Sequence, residues 1–274
     1  MSLFPGVALI TGAGSGIGQA TAVSFAREGC EKIVIADRNE QGLDNTRDAI
    51  QKVNSECEVY DVRIDVSSAE SVDYLVDEAV KIFGRVDYCC NAAGVLSNNE
   101  RSDATSPEEF DRINGINYRG CWLCSRAEIK QMLKQEPLAT HDGRKGNRGS
   151  VVNIASQLGI VGRPAARGCD QYDSLRRYRR SSSHKNLPGK NLRMLTSSQY
   201  SKDNIRINCV CPGVIDTPMT RPNMDVLGSA IAIAPMDRAG TAQEVADCVL
   251  FLASSKATFV QGSALVVDGG YVIN

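Results

Sequence analysis

The chain has 274 residues, 42% of them hydrophobic, which is enough to bury the core of one large α/β domain or two small ones. Its formal net charge of −1 gives no general reason to expect a nucleic acid or an anionic membrane as a partner. No apolar run approaches the ~18 residues of a membrane span, and the N-terminus has no signal-peptide pattern, so we expect a cytoplasmic protein.

Short apolar runs alternate along the chain with longer amphipathic stretches. The runs predict strands at 6–10, 32–36, 58–64, 86–90, 150–154, 205–210 and 263–267. The amphipathic stretches predict helices at 16–28, 40–53, 69–83, 107–132 and 241–253. Several of the strands are apolar throughout. The alternation therefore predicts an α/β fold with a doubly wound parallel sheet, covered by helices on both faces.

A glycine-rich turn, Thr-Gly-Ala-Gly-Ser-Gly-Ile-Gly at 11–18, joins the first predicted strand to the first predicted helix. Glycines let the backbone approach a pyrophosphate closely, and the helix that follows offers free N–H groups and the positive end of its dipole. This context is the one that a dinucleotide-binding motif requires. The predicted phosphate-binding residues are Gly12, Ser15, Gly16, Ile17 and Gly18.

The second predicted strand leads into Asp37, about twenty residues after the glycine turn. A carboxylate at this place can accept hydrogen bonds from both ribose hydroxyls of NAD and would repel the 2′-phosphate of NADP. The alternative is a helix-capping or surface aspartate. The neighbouring Arg38 would soften the preference. The sequence therefore favours NAD, with NADP as the second candidate.

Ten cysteines raise the question of disulfides or a metal site. Most of them lie within apolar stretches, so we expect buried free thiols. Cys121 and Cys124 have the spacing of a redox or zinc pair, but they lie in the middle of a predicted helix, and the chain has only two histidines. We predict no metal site.

Further motifs extend the pattern set by the glycine turn. They are Asp65-Val66, Asn91-Ala-Ala-Gly94, Asn117-Tyr-Arg-Gly120, Asn153-Ile-Ala-Ser156, Pro212-Gly-Val-Ile-Asp-Thr217, Gln261-Gly262 and Asp268-Gly-Gly270. Together they resemble the short-chain dehydrogenase/reductase family over residues 5–166 and 200–271. The resemblance implies a Rossmann-type sheet of about seven strands and nicotinamide chemistry.

The resemblance also implies further cofactor-binding residues, which are Asp65, Val66, Asn91, Arg126, Val214 and Thr217. Asp65 would contact the adenine, Asn91 would support the edge of the sheet beside the cofactor, and the last two would hold the nicotinamide end. For Arg126, a surface position on its helix is an equal alternative. The glycine turn carries no basic residue, where NADP-preferring relatives often place one, and this agrees with NAD.

Hydride transfer to or from a carbonyl carbon needs a partner that moves the proton of the oxygen. The resemblance implies a Tyr for this task, with a Lys four residues later, a Ser and an Asn. Ser156 would hold the substrate oxygen, and Asn117 would position water for a proton relay. Because a free Tyr has a pKa of about 10, a nearby cation is needed to favour the phenolate.

The expected tyrosine and lysine are not at the family's spacing. No Tyr-x-x-x-Lys occurs within 157–204, and Cys169 stands about where the family places its Tyr. The nearest substitute is Tyr172 with Arg176, although Arg does not readily give up its proton. The alternative for Tyr172 is an exposed loop residue.

Residues 173–199 lack the composition of the amphipathic helix that the family has there. Four Arg and three Ser are followed by Pro-Gly, which is typical of a solvated or disordered segment, and the family pattern resumes abruptly at Tyr200. We expect a single domain over residues 1–274. We hypothesise that the segment 173–199 within it results from a frameshift or a mis-spliced gene model. Residues 163–193 carry nine Lys/Arg against two Asp, but apart from Tyr172 and Tyr178 they lack the interleaved aromatics of a nucleic-acid site.

The sequence thus predicts an NAD(P)-dependent oxidoreductase that interconverts a secondary alcohol and a ketone. The alternative is a catalytically impaired nucleotide-binding protein that has lost the active-site lysine. Apolar residues within 218–235 suggest a lid over a small or medium substrate, with core packing as the alternative. Relatives in the family are commonly homo-oligomers, and the altered helix puts that state in doubt here.

Overall fold

The structure is a computed structural model that describes residues 2–97, 101, 103–161 and 197–273. Its strands are, in chain order, β1 (Val7–Thr11), β2 (Lys32–Asp37), β3 (Glu58–Arg63), β4 (Tyr88–Asn91), β5 (Gly149–Ile154), β6 (Ile205–Pro212), β7 (Ile215–Asp216), β8 (Gly240–Thr241) and β9 (Ala264–Val267). Seven of them form one parallel sheet in the order β3-β2-β1-β4-β5-β6-β9, and β7 pairs with β8.

The helices of the described ranges connect these strands. They are α1 (Gly16–Arg27), α2 (Glu40–Val53), α3 (Ala69–Phe83), α4 (Pro107–Ile113), α5 (Cys121–Met132), α6 (Met224–Ile231) and α7 (Ala242–Ala253). A π-helix, Asn114–Gly120, joins α4 directly to α5. Parallel strands need such crossover connections, because each strand must return to the same end of the sheet.

Alternate residues of β1 face opposite sides of the sheet, and all five are buried. Ala8 and Ile10 belong to a core cluster with residues of α1 and α7, whereas Val7 and Leu9 belong to a second cluster with residues of α3 and α5. Helices therefore cover both faces of the sheet, which explains why the strand is apolar throughout. The predicted fold class, a doubly wound α/β sheet of Rossmann type with seven strands, is confirmed.

The predicted strands agree with the seven strands of the main sheet to within one or two residues at most ends. The predicted helix over 107–132 is confirmed as one helical segment with the same bounds, but its middle part, Asn114–Gly120, is a π-helix that was not predicted. Helix α6 and the two short strands were not predicted. They are two to eight residues long, too short for a periodic pattern to stand out.

Seven of the nine cysteines in the described part of the chain are buried, so the predicted burial is confirmed. Burial raises the pKa of the Cys90 and Cys121 thiols to about 12. Within the same residues, no group of three or more His, Cys, Asp or Glu is arranged to hold a metal ion. A search of the described helices found none long and apolar enough to cross a membrane.

Candidate cofactor-binding and active site

A cavity of about 640 Å³ lies outside the carboxyl ends of the sheet strands. Its walls come from residues at or just after the ends of β1, β2, β3, β4, β5 and β6. β1 and β4 are neighbours in the middle of the sheet, and the strand order runs outward from them in opposite directions. This is the topological switch point, where open α/β sheets bind their ligands.

The glycine turn between β1 and α1 forms one wall of the cavity. All five predicted phosphate-binding residues, namely Gly12, Ser15, Gly16, Ile17 and Gly18, line it. Gly12 and Gly16 have φ values of 69° and 55°, in the left-handed region that favours glycine. A Cβ atom on Gly18 would collide with the carbonyl oxygen of Gly12. The turn therefore depends on glycine at each of these three positions.

The N-terminus of α1 is built differently from those of most other described helices. α2, α3, α4 and α7 each begin with a side chain that accepts a backbone N–H, and each has a Glu in its first turn. α1 has neither: its N-cap, Ser15, makes no side-chain cap, and no acidic residue lies in its first turn. The positive end of this helix thus faces the cavity without a capping side chain, which suits a phosphate.

The carboxylate of Asp37 lies at the edge of the same cavity. One oxygen accepts the backbone N–H of Gly14 at 2.9 Å, and the other accepts that of Asn39 at 3.0 Å. These two hydrogen bonds fix the carboxylate against the glycine turn. Arg38 also lines the cavity, and its charge contributes to lowering the pKa of Asp65.

Asp65 and Val66, at the start of the loop after β3, both line the cavity. Hydrogen bonds from the hydroxyl and the backbone N–H of Ser67, at 2.7 and 2.9 Å, lower the pKa of Asp65 below its ordinary value. Asp65 is therefore ionised at neutral pH and accepts hydrogen bonds only.

Thr217 and Val214, both expected at the nicotinamide end, lie in different places. Thr217 lines the cavity, and a Cβ atom on Gly16 would lie 3.3 Å from its side chain. Val214 instead lines a neighbouring cavity of about 320 Å³, and its carbonyl oxygen accepts the N–H of Gly240 at 2.9 Å. Only Thr217 of this pair is therefore brought against the glycine turn.

Asn91, at the end of β4, is buried beneath the cavity wall rather than exposed in it. Its side chain hydrogen-bonds to residues of β1, β5 and α5, which agrees with the expected support of the sheet edge. Arg126 lies outside the cavity wall, with its guanidinium 3.8 Å from Asp73 and 6.0 Å from the centre of the Trp122 ring. This geometry favours the surface alternative for Arg126, and its contact with a cofactor stays a prediction.

Ser156 and Asn117, two of the predicted catalytic residues, both line the cavity. The Ser156 hydroxyl oxygen accepts the N–H of Leu158 at 3.1 Å, which leaves its own proton available to a ligand. The Asn117 amide makes two hydrogen bonds to the backbone of Val95, both at 2.9 Å. Its side chain therefore holds the loop after β4, and it lies in the π-helix, a feature that is often found at functional sites.

Comparison with known proteins identifies this arrangement. The family model of the short chain dehydrogenases matches residues 6–168, and that of the Enoyl-(Acyl carrier protein) reductases matches 190–272. The short-chain dehydrogenase fogB of Aspergillus ruber is 34% identical over 97% of this chain and 96% of its own. The 2-(R)-hydroxypropyl-CoM dehydrogenase of Xanthobacter autotrophicus is 33% identical over 97% and 98%.

The chain belongs to the short-chain dehydrogenase/reductase family. The crystal structure of levodione reductase is similar to it with a TM-score of 0.84 and 30% identity, over 98% of this chain and 99% of that one. This short-chain dehydrogenase/reductase is accordingly an oxidoreductase, in a family that typically binds NAD or NADP.

The two family models leave 169–189 of this short-chain dehydrogenase/reductase unmatched. The unmatched range contains Tyr172 and Arg176, the remaining predicted catalytic residues. Both lie outside the described residues, as does most of the atypical segment 173–199. The family assignment therefore stands on the chain before and after this range.

Sequence reasoning missed several residues that line the cavity of this short-chain dehydrogenase/reductase. Among them are Leu96 after β4, Ile116 in the π-helix, and Met219 and Thr220 after β7. Met219 lies within the range 218–235, which was expected to contribute apolar residues to a lid. The positions of these residues next to recognised motifs were the available signal, but apolar side chains there are equally typical of core packing.

Proposed function

We propose that this short-chain dehydrogenase/reductase interconverts a secondary alcohol and a ketone with NAD(H) as its preferred cofactor. The observation that carries the proposal is the uncapped N-terminus of α1 beside the carboxylate of Asp37. The first suits a pyrophosphate, and the second suits a ribose that carries two free hydroxyls.

The residues of the cavity fit a nicotinamide dinucleotide. The glycine turn would hold the pyrophosphate, Asp37 the adenosine ribose, Asp65 and Val66 the adenine, and Thr217 the nicotinamide end. When bound, the nicotinamide supplies or accepts the hydride. Asp37 favours NAD because a second anion, the 2′-phosphate of NADP, would lie beside its carboxylate. Arg38 makes NADP the second candidate.

Ser156 is proposed to orient the substrate oxygen. With the N–H of Leu158 on its oxygen at 3.1 Å, the hydroxyl can donate its proton to that atom. Asn117 is proposed to maintain the site for a proton relay, through its two hydrogen bonds to Val95. We propose Tyr172, with the charge of Arg176, as the group that moves the proton, since no Tyr-x-x-x-Lys occurs in 157–204.

The class of substrate is proposed from the cavity wall and from the relatives. The apolar side chains of Leu96, Ile116 and Met219 line the cavity and favour a small or medium apolar substrate. One relative is named for a hydroxypropyl compound and another for levodione, an alcohol and a dione by name. A ketone or secondary alcohol therefore fits both lines of support.

A second candidate function is nucleotide binding without turnover. The specific observation in its favour is that the family models match both sides of 169–189 but not that range, which contains the proposed Tyr172 and Arg176. Loss of the cation would leave the tyrosine protonated at neutral pH, because its ordinary pKa is about 10.

Turnover with a panel of secondary alcohols and NAD, and of ketones and NADH, separates the two functions. The native chain and Ser156→Ala are compared, with Ser55→Ala as a control at an exposed serine that does not line the cavity. The proposal predicts activity that falls at least about a hundredfold in Ser156→Ala and much less in the control. Binding of NADH without turnover on any substrate of the panel would favour the second function.

A further inference from the structure

Glu128, on α5, is a completely buried carboxyl group. No ion pair involves it among the described residues. One carboxyl oxygen, Oε1, also has no hydrogen-bond partner within that part of the chain. Burial of an ionisable group without a countercharge is costly, so an apolar residue would serve better if only packing were needed.

The other carboxyl oxygen of Glu128 makes a specific contact. It accepts a hydrogen bond from the side-chain amide of Asn91 at 3.0 Å. The same amide lies 3.0 Å from the side-chain oxygen of Asn153, and the amide oxygen of Asn91 accepts the Thr11 hydroxyl at 3.4 Å. Thr11, Asn91 and Asn153 are aligned across β1, β4 and β5. Glu128 therefore anchors the side chain that connects three strand ends.

These strand ends lead directly into the cofactor cavity. Residues 92–95, the β4 loop, follow Asn91 and line the cavity. This loop packs closely on the glycine turn, since a Cβ atom on Gly12 would lie 2.5 Å from the backbone nitrogen of Ala93. The far end of this loop is held by Asn117 of the π-helix. One continuous helical segment thus fixes the β4 loop at both ends.

We propose that Glu128 is a positioning residue for the cofactor site, which holds Asn91 and thereby the β4 loop against the glycine turn. This inference rests on the proposed function, because it assigns the cavity to a nicotinamide dinucleotide. Glu128 does not line the cavity and acts through Asn91.

Either form of the carboxyl group can accept the Asn91 N–H, but the ionised form would be buried without a countercharge, so we expect its ionisation to disturb the packing around Asn91. Burial raises the pKa of Glu128 to about 8, against the smaller lowering effects of the Asn91 amide and the Cys89 thiol. The described titratable groups around it are the thiols of Cys89 and Cys90 on β4 and of Cys121 and Cys124 on α5. Burial raises the pKa of Cys90 and Cys121 to about 12 and that of Cys89 and Cys124 well above its ordinary value, so between pH 7 and 9 we expect Glu128 to be the member of this cluster that ionises.

The test compares Glu128→Gln, which keeps a neutral acceptor, with Glu128→Leu, which removes it, and with Glu108→Gln as an exposed control. NADH affinity is measured by nicotinamide fluorescence between pH 6.5 and 9. Hydrogen–deuterium exchange of the peptide that contains 92–95 is measured in the free protein. We expect Glu128→Leu to weaken NADH binding about tenfold and to speed exchange in the β4 loop, with Glu128→Gln close to native.

The pH dependence distinguishes positioning from packing. Native affinity should fall above pH 8 as Glu128 ionises, and Glu128→Gln should remove that fall, which the control should retain. A folded Glu128→Leu variant with native affinity and native exchange would overturn the inference. If Glu128→Leu does not fold, the Glu128→Gln variant decides. A fall in its NADH affinity above pH 8 as large as that of the native chain would overturn the inference. If the native chain binds neither NADH nor NADPH, the proposed function fails, and the exchange comparison alone decides the role of Glu128.

Discussion

Among single residues, Asp37 is the one on which the proposed preference for NAD over NADP chiefly depends. Its carboxylate accepts two backbone N–H groups and faces the cavity, so its position is fixed before any ligand arrives. The sequence predicted this residue from its spacing after the glycine turn. The sequence could not predict that Arg126 lies beside Asp73 and Trp122, because a helix pattern does not say which exposed side chains reach a neighbouring cavity.

Replacement of Asp37 by Ser should change the choice between the two nucleotides. NADH affinity should fall about tenfold with the loss of the charged acceptor, and NADPH affinity should rise because the repulsion of its 2′-phosphate is removed. Parallel fluorescence titrations of NADH and NADPH measure both changes. Asp48→Ser, at an exposed position on α2, is the matched control, and an unchanged ratio of affinities in Asp37→Ser would contradict the role of Asp37.

The buried Glu128 should also make stability depend on pH. Its pKa is about 8 in the folded chain against an ordinary value of 4.5, so the folded state keeps a proton that the unfolded state releases. The contribution of this group to stability is therefore greatest below pH 4.5 and is lost progressively up to about pH 8. At 1.36 kcal/mol per pKa unit, the upper bound of the loss is roughly 5 kcal/mol.

Glu128→Gln removes this titration, so its unfolding free energy relative to that of the native chain should rise between pH 5 and 8.5. Urea unfolding at several pH values measures the difference. A difference that is independent of pH would show that the pKa of Glu128 is not raised in the folded chain.

At the scale of elements, the strands of the main sheet were predictable because each is a short apolar run that must be buried on both faces. The split of 107–132 into α4, a π-helix and α5 was not predictable, because the amphipathic pattern continues through all three. Asn117, which the sequence predicted at the site, lies in this π-helix and holds the β4 loop, so the unpredicted π-helical geometry lies at the site.

The tight packing at the start of α1 predicts how a substitution at Gly18 changes the stability of the chain. Gly18→Ala should destabilise the chain by about 1–3 kcal/mol, because its new methyl group meets the carbonyl oxygen of Gly12. Gly228→Ala, in α6, has open space around it and should be neutral or stabilising by about 0.5–1 kcal/mol. Chemical denaturation of both variants measures this, and equal effects would contradict the tight packing of the glycine turn.

At the scale of the whole molecule, the framework before and after 169–189 is that of the family, whereas this range is unmatched. The hypothesis of a frameshift or mis-spliced gene model over 173–199 predicts that the transcript encodes a different segment here, with a Lys four residues after a Tyr. Sequencing the messenger RNA across this range, together with mass spectrometry of the natural protein, tests the hypothesis. An uninterrupted reading frame that encodes the printed residues in both would refute it.

The central claim is that the cavity at the carboxyl end of the sheet binds a nicotinamide dinucleotide and prefers NAD(H). The most direct test is a titration of the native chain with NADH and NADPH, followed by nicotinamide fluorescence in a sample shown to be folded by circular dichroism. We expect saturable binding of both, with NADH at least about tenfold tighter, which corresponds to about 1.4 kcal/mol. A folded chain that binds neither nucleotide would contradict the claim, and tighter binding of NADPH would contradict the role given to Asp37.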